Sequence, residues 1–207
     1  MMRLLVLKSL LFEKNGFIEK MSYFTIERVA RNLRNWIDKG YKVLPVAINI
    51  SYQYLISAKF IKNLIFLADK YNLDHQLIEI ELQELAFKEE VNPIFEALEK
   101  VRQAGFKTTI DDFGSGYSSL MMLKELPINM LKLDKGFLRD GIIEENDEII
   151  IKNIINMANE LGITVISEGV ESEEQLKFLK SAGCKYVQGF HLSLPLSLKD
   201  VEKNILK

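Results

Sequence analysis

Two adjacent aspartates end an apolar run in the stretch TTIDDFGSGYSSL, residues 108–120, and a loop rich in glycine and serine follows them. Two neighbouring carboxylates repel each other, and the repulsion destabilises a fold unless a cation lies between them. Asp111 and Asp112 are therefore candidate metal ligands. The alternative is an ordinary strand end followed by a turn of aspartate, glycine and serine residues.

The composition restricts which metal these aspartates could bind. Cys184 is the only cysteine, and His75 and His191 are the only histidines. An intrachain disulfide, a cysteine zinc cluster and a histidine-rich metal site are therefore excluded. Because only oxygen ligands remain, the sequence favours magnesium, manganese or calcium over zinc.

The size and charge of the chain are typical of one soluble globular domain. Its 207 residues suffice for a substantial core, and 48% of them are hydrophobic and 27% charged. The formal net charge of -2 gives no basic field, so we expect no DNA or RNA polymer as a partner. The apolar start MMRLLVLKSLLF is interrupted by Lys8 and is too short to span a bilayer, so we expect no membrane insertion. We predict a cytoplasmic protein, which the single cysteine also suits.

The elements that position the aspartates alternate along the chain. Short β-prone runs predict six strands, at residues 43–50, 77–82, 108–110, 130–133, 164–167 and 186–188. Helical spacing of apolar residues predicts helices at residues 24–38, 58–70, 92–104, 118–124, 148–161 and 172–181. No repeat or linker interrupts this pattern. It predicts a single domain over residues 1–207 with a parallel α/β sheet, either doubly wound or closed into a barrel.

Polar side chains stand at or just past the C-terminal end of nearly every predicted strand. They are Asn49, Glu81, Glu84, Asp111, Asp112, Lys132, Asp134, Glu168, Glu171 and Gln188. In a parallel α/β barrel these strand ends converge on one rim, where active sites lie. A doubly wound sheet would instead concentrate its ligands at one switch point and would be expected to carry a glycine-rich phosphate loop, which the sequence lacks. The pattern favours the barrel.

Each polar residue also has a simpler interpretation. Glu79 and Glu81 could line a solvated sheet face, and Lys132 could protect an edge strand from pairing. Asn49 could cap a turn, and the glutamates that follow the fifth strand could begin the helix near Ser172. Taken together, these interpretations do not explain the pattern, because chance alone is not expected to place carboxylates, an amide and a lysine at successive strand ends.

These residue types would support hydrolysis of a phosphodiester. Asp111 and Asp112 could hold two divalent ions about 3.5–4 Å apart, an arrangement that activates water and stabilises the attacking and leaving oxygens. Lys132 would neutralise charge on the phosphoryl group or orient the water. Glu168 or Glu171 could accept the proton of the water.

Six sequence motifs together resemble the EAL-domain family in their order and spacing. They are NIS, IEIELQE, DDFGSGYSSL, LPINMLKLD, SEGVESEEQLKFLKSAGCKYVQGF and the later LPL, and the match runs from about Phe12 to Leu196. The resemblance implies a modified TIM barrel that hydrolyses cyclic di-GMP to linear pGpG in a two-metal site with Mg²⁺ or Mn²⁺.

The resemblance also implies a role for each matching position. The implied metal ligands are Asn49, Glu81, Asp111, Asp112 and Glu168; the implied catalytic residues are Lys132, Glu168 and Glu171; Asp134, Gln188 and Pro195 would bind the substrate, and Glu84 would anchor the loop after Asp112.

One departure from the family pattern affects the expected activity. The motif that names the family, Glu-Ala-Leu followed by arginine, is absent ahead of these motifs, and six strands are predicted where the family uses eight. We therefore expect an incomplete barrel with a divergent segment at residues 1–11, an impaired metal site and low or no activity. A non-catalytic cyclic di-GMP receptor or protein-interaction domain is the alternative. Open strand edges near Val43 and Tyr186 predict a homo-oligomer, unless residues 3–7 supply a substitute strand.

Overall fold

The computed structural model describes residues 17–88, 90–116, 120–141 and 145–206. The segment 1–11 and the substitute strand considered at residues 3–7 lie outside the described residues. The described chain forms two compact units. The first contains residues 17–82 and 90–107, and the second contains residues 83–88 and 108–206. The single-domain interpretation of the sequence stays a prediction.

The first unit alternates helices with two parallel strands. Its elements are α1 (Phe17–Asp38), β1 (Val46–Asn49), α2 (Tyr52–Leu55), α3 (Phe60–Lys70), a 3-10 helix (His75–Leu77), β2 (Ile78–Gln83, whose last residue falls in the second unit) and α4 (Val91–Gln103). β1 and β2 pair in parallel register, which places Asn49 beside Glu81.

Helix α1 shows how apolar spacing builds the core of this unit. Ile18, Ile26, Ala30, Leu33 and Trp36 recur at intervals that keep them on one side of the helix, and all five are buried. Strand β2 is buried over residues 78–82, as is typical of a parallel strand covered on both faces. The unit is therefore an α/β layer packed around its strands.

The second unit contains four parallel strands that pair in chain order. Its elements are a 3-10 helix (Glu84–Lys88), β3 (Lys107–Phe113, whose first residue falls in the first unit), α5 (Leu120–Glu125), β4 (Met130–Leu133), a 3-10 helix (Lys135–Gly141), α6 (Glu145–Glu160), β5 (Thr164–Ser167), α7 (Glu173–Ser181), β6 (Tyr186–Val187) and α8 (Leu198–Asn204). β4 pairs with both β3 and β5, and β5 pairs with β6. Leu131, Leu133 and Val165 are buried at the centre of this sheet.

The structure confirms the parallel α/β interpretation and corrects several boundaries. β4 and β5 span the predicted residues, whereas β3 continues to Phe113 because the chain resumes pairing with β4 beyond an irregularity. α1 begins at Phe17, seven residues before the predicted start. Helix α8 was not predicted; its seven residues include only two apolar side chains, Leu198 and Val201, and none of the seven is buried. No described helix has the length and apolar character needed to span a membrane.

Candidate active site

The end of β3 brings two adjacent aspartates to the same place. In a regular strand, adjacent side chains point to opposite faces of the sheet. Between Ile110 and Phe113 the register with β4 shifts, so three steps along β3 match two steps along β4. Asp112 lies in this bulge with a φ of 57°, in the left-handed region that few residues other than glycine, asparagine and aspartate adopt. One oxygen each of Asp111, Asp112 and Glu168 lies within 4.8 Å of the other two.

A buried lysine from β4 neutralises part of this cluster. Lys132 Nζ lies 2.8 Å from Asp111 Oδ1 and 2.6 Å from Glu168 Oε1. The side chains of Lys132, Asp111 and Glu168 are only 8%, 10% and 18% exposed. Their mutual attraction is therefore weakly screened by water, and the three groups depend on one another for charge balance.

One buried oxygen of the cluster has an ion-pair partner but no hydrogen bond from the described residues. Asp111 Oδ1 is close to Lys132 Nζ, but the contact lacks hydrogen-bond geometry, and this oxygen accepts no hydrogen bond from a described residue. The ammonium offsets part of the cost of burying this oxygen, and a divalent cation would offset more of it. Together, the carboxylates of Asp111, Asp112 and Glu168 fit a hard divalent cation, which prefers oxygen ligands.

The electrostatics of Asp112 show how crowded the cluster is. Burial, followed by the charge of Asp111 and then those of Asp134 and Glu168, raises the pKa of Asp112 from 3.8 to about 6. Lys132 acts in the opposite direction but does not compensate. Without a cation, the site therefore disfavours the ionised form of a residue that would have to be ionised to bind metal.

Asp134 lies at the end of β4 and caps the 3-10 helix that follows. Its Oδ1 accepts a hydrogen bond of 2.7 Å from the Gly136 N–H, and its own N–H donates to Phe113 O at 3.1 Å. The aspartate is half-buried. It therefore joins the ends of β3 and β4 beside the cluster.

Glu84 fixes the loop that follows the aspartate pair. It is 1% exposed, and its Oε2 accepts hydrogen bonds from Ser115 Oγ at 2.6 Å and from the Gly116 N–H at 3.2 Å. Gly114 has a φ of 99°, and a Cβ there would lie 2.2 Å from the Phe137 ring. Residues 117–119 of the predicted loop lie outside the described part of the chain.

The loop after β5 carries Glu168 and is tied to both neighbouring strands. The Glu168 N–H donates to Leu133 O at 3.1 Å, and the Val170 N–H donates to Gln188 O at 3.1 Å. The Gln188 N–H in turn donates to Ser167 O at 2.8 Å. The backbone of this segment is therefore paired on both sides of β5.

The remaining predicted residues of the second unit are more open to solvent. Glu171, Gln188 and Pro195 are all exposed. Glu171 is not among the carboxylates that cluster in the described part of the chain. The backbone of Gln188 is hydrogen-bonded to that of Ser167 and of Val170. The roles predicted for these three side chains stay predictions.

The two predicted metal ligands of the first unit pair with each other. Asn49 Nδ2 donates to Glu81 Oε2 at 3.2 Å across the β1–β2 ladder. Asn49 is exposed, whereas Glu79 and Glu81 are 5% and 6% exposed. The interpretation of these two glutamates as a solvated sheet face is therefore wrong. The assignment of Asn49 and Glu81 as metal ligands stays a prediction.

Sequence reasoning missed one buried polar residue, Gln175, in the first turn of helix α7. Gln175 is 1% exposed, and its side chain accepts hydrogen bonds from the N–H groups of Glu171 and Ser172. The Ser-x-x-Gln spacing of residues 172–175 is the signature of a capping box at a helix start. That signal was present in the sequence, although it predicts only the local contacts.

Comparison with known proteins places these residues in a family. The family model described as EAL domain matches residues 10–195. Signaling protein YkoW of Bacillus subtilis is 37% identical over 94% of this chain and 24% of its own length. Cyclic di-GMP phosphodiesterase NbdA of Pseudomonas aeruginosa is 35% identical over 93% of this chain and 25% of its own length. The chain thus spans about a quarter of the length of these curated relatives.

Solved structures show the same likeness in three dimensions. The PaMucR phosphodiesterase in complex with c-di-GMP matches with a TM-score of 0.84 and 30% identity over 92% of this chain and 77% of its own. The EAL enzyme Bd1971 bound to cAMP and cyclic di-GMP matches with a TM-score of 0.85 and 28% identity, over 94% of this chain and 54% of its own. The predicted fold, a modified TIM-type α/β barrel, is confirmed by these matches. The chain belongs to the EAL domain family.

Proposed function

We propose that this chain is a cyclic di-GMP phosphodiesterase domain that hydrolyses its substrate to linear pGpG with two divalent ions, Mg²⁺ or Mn²⁺. The observation that carries the proposal is the cluster of Asp111, Asp112 and Glu168 around buried Lys132. Relatives support the substrate: NbdA of Pseudomonas aeruginosa and PdeR of Escherichia coli, which are 35% and 33% identical to this chain, are both named cyclic di-GMP phosphodiesterases.

The proposed metal ligands are Asn49, Glu81, Asp111, Asp112 and Glu168, as the family resemblance implies. Asp111, Asp112 and Glu168 are the ligands of the second unit, and Asn49 and Glu81 are those of the first. Two bound divalent ions would supply an activated water at neutral pH and would neutralise charge on the phosphodiester. Metal titrations of Glu81→Gln and of Asp111→Asn test whether the two sets of ligands bind the same ions. If they do, both substitutions should weaken the same binding step.

Lys132 has two partners that also serve as metal ligands in this proposal. Its ammonium lies between Asp111 and Glu168, and these two carboxylates would hold it beside the reacting phosphate. There it would donate to the phosphoryl oxygens and orient the attacking water, because a buried cation is most effective where negative charge develops. Glu171, which is exposed and ionisable, would accept the proton of the water.

Substrate binding is assigned to residues on the loops around the cluster. Asp134, Gln188 and Pro195 would contact the guanylate groups. Glu84 would anchor the loop after Asp112 through its bonds to Ser115 and Gly116, which keeps that loop ordered when substrate enters. These assignments rest on the family resemblance together with the contacts given above.

A specific feature favours a second candidate function, a receptor or interaction domain without turnover. The tripeptide Glu-Ala-Leu occurs once in the sequence, at residues 96–98, where it lies in helix α4 and precedes Glu99 instead of an arginine. The family motif is therefore not provided by this tripeptide. We propose that one metal site is impaired and that turnover is reduced or lost.

One experiment separates the two candidates. The full chain is incubated with cyclic di-GMP and Mn²⁺, and pGpG is measured by chromatography, while equilibrium dialysis measures nucleotide binding. The phosphodiesterase proposal expects pGpG to form in the wild type and in Lys124→Ala, an exposed lysine, but not in Lys132→Ala. Tight binding without any pGpG would contradict turnover and support the receptor. Neither binding nor turnover would contradict both.

The proposed context is a cytoplasmic homo-oligomer that forms through strand edges. β6 is only two residues long and Tyr186 is 58% exposed, with Phe190 beyond it 63% exposed. An exposed apolar strand edge is a surface on which another chain can pair. Sedimentation equilibrium of the full chain should give a dimer or larger assembly that Tyr186→Lys weakens, and a monomer at all concentrations would contradict it.

A further inference from the structure

The buried side chain of Gln175 makes three hydrogen bonds to the backbone. Its Oε1 accepts hydrogen bonds from the Glu171 N–H at 2.7 Å and from the Ser172 N–H at 3.0 Å. Its Nε2 donates to Leu138 O at 3.0 Å, across 37 positions of sequence. A capping box needs only the local contacts, so the bond to Leu138 is an addition to it.

These bonds join two segments that each lead back to the cluster. Leu138 lies in the 3-10 helix that Asp134 caps, directly after the strand of Lys132. Glu171 and Ser172 lie in the loop that begins with Glu168. Gln175 therefore connects the segment that follows the lysine to the segment that carries its carboxylate partner.

We propose that Gln175 is a positioning residue of the metal centre, which it serves by holding the loop of Glu168 against the segment after β4. The inference rests on the proposed function, because the carboxylate it positions is a proposed metal ligand. Removing the amide would leave two N–H groups and one carbonyl without their bonds in a buried place. The loop would then move to find other partners, and Glu168 would lose its fixed orientation.

Three variants of the full chain isolate this role. Gln175→Leu removes all three side-chain bonds at similar volume. Gln175→Glu keeps an oxygen that accepts from the two N–H groups, but its second oxygen replaces the donor and faces Leu138 O, acceptor against acceptor. The control is Ser172→Ala, which deletes the hydroxyl that accepts from the Gln175 backbone N–H and so weakens the start of the same helix without touching the amide.

Two readouts are measured at a temperature where circular dichroism shows all variants folded. Isothermal titration with Mn²⁺ should show a loss of affinity of about tenfold to a hundredfold in Gln175→Leu, the range seen when partners of metal ligands are removed. Gln175→Glu should also lose affinity, because its second oxygen is repelled by Leu138 O, and Ser172→Ala should stay within about threefold of the wild type. In metal-free protein, amide exchange of Glu168 and Val170 should accelerate about tenfold or more in Gln175→Leu only.

The outcomes separate this inference from the function on which it rests. Wild-type affinity and exchange in Gln175→Leu would overturn the positioning role, and so would equal losses in Gln175→Leu and Ser172→Ala. If the wild type takes up no Mn²⁺, the proposed metal centre is contradicted instead. The exchange of Glu168 and Val170 then still decides whether Gln175 orders the loop, and an unchanged rate overturns the role in that case as well.

Discussion

The ends of β3 and β5 both present carboxylates to the same cluster, but they do so by opposite means. β3 breaks its regular geometry, with a bulge and a left-handed φ at Asp112, and its carboxyl has a raised pKa. β5 keeps its ladder to the end, and the loop of Glu168 is held by backbone bonds and by Gln175. One end of the site is strained and charge-crowded, and the other is supported.

Within the second unit, the strained and charged groups lie at the end of β3, and the groups that support them lie around it. Strained backbone and repelling charges persist only where the surroundings hold them in place. Here the surroundings are Lys132, Glu84 and the loop after β5. We therefore expect substitutions at the β3 end to stabilise the metal-free protein and substitutions of the supporting groups to destabilise it.

The largest effect on stability should come from removing the Lys132 ammonium, which pairs with a carboxylate at each end of the site. Lys132→Met leaves Asp111 and Glu168 buried without their partner, which should cost about 3 kcal/mol in the free energy of unfolding. Urea denaturation in EDTA measures the loss, with Lys124→Met as the exposed control. Saturating Mn²⁺ should recover part of it, because a metal ion replaces the missing charge. Equal stability of Lys132→Met and the wild type in EDTA would contradict the electrostatic account.

A smaller effect is expected where the loop after β5 is most tightly packed. A Cβ at Gly189 would lie 2.0 Å from Val170 O, so Gly189→Ala should cost about 2 kcal/mol through forced displacement of the backbone. Gly183→Ala is the matched control, because nothing lies near its Cβ and only its left-handed φ of 81° is strained. Gly189→Ala should also weaken Mn²⁺ binding, measured by calorimetry, whereas Gly183→Ala should not. An equal effect of both on Mn²⁺ affinity would argue against the supporting role of the loop.

Substitutions at Asp112 separate the backbone strain at the β3 end from its charge. Asp112→Asn removes the charge and keeps a side chain that tolerates the left-handed region, so it should stabilise the metal-free protein. Asp112→Ala removes the same charge but should be about 1 kcal/mol less stable than Asp112→Asn, because alanine lacks that tolerance. Thermal unfolding in EDTA gives both values. If the two variants are equally stable, the bulge carries no measurable strain.

The pH dependence of stability should appear only in metal-free protein, because a bound cation would hold Asp112 in its ionised form. Asp112 has a folded-state pKa of about 6 and an ordinary value of 3.8, so the folded chain binds more protons than the unfolded chain between these values. The contribution of this carboxyl therefore destabilises the fold progressively as pH rises from about 4 to 6 and is constant above. Urea midpoints should diverge in that window between the wild type and Asp112→Asn. Parallel curves would place the pKa at its ordinary value.

The sequence predicts the β5 end better than the β3 end, and the reason is physical. Residues 164–167 form a short β-prone run bounded by polar residues, and the structure has the strand there. At β3 the same reasoning ends the strand at residue 110, because two aspartates disfavour a strand. The bulge that carries the strand to Phe113 depends on pairing with β4, which local propensity does not contain.

The candidate site was predictable as a set of residues but not as an arrangement. Polar groups at strand ends identify Asp111, Asp112, Lys132 and Glu168, since parallel strands bring their ends together. The exposure of Glu171 depends on the path of a loop, and the bond from Gln175 to Leu138 spans 37 positions. Such contacts arise from tertiary packing, and neither periodicity nor a capping motif specifies them.

Calorimetric titration of the metal-free full chain with Mn²⁺ tests the central claim most directly, with Asp111→Asn as the variant that removes the charge of one buried proposed ligand. We expect saturable binding in the wild type and at least a hundredfold loss of affinity in Asp111→Asn, which goes beyond the loss on removing a partner of a ligand. Absence of binding in the wild type, or equal affinity in the two proteins, would contradict the claim that these carboxylates hold a divalent ion.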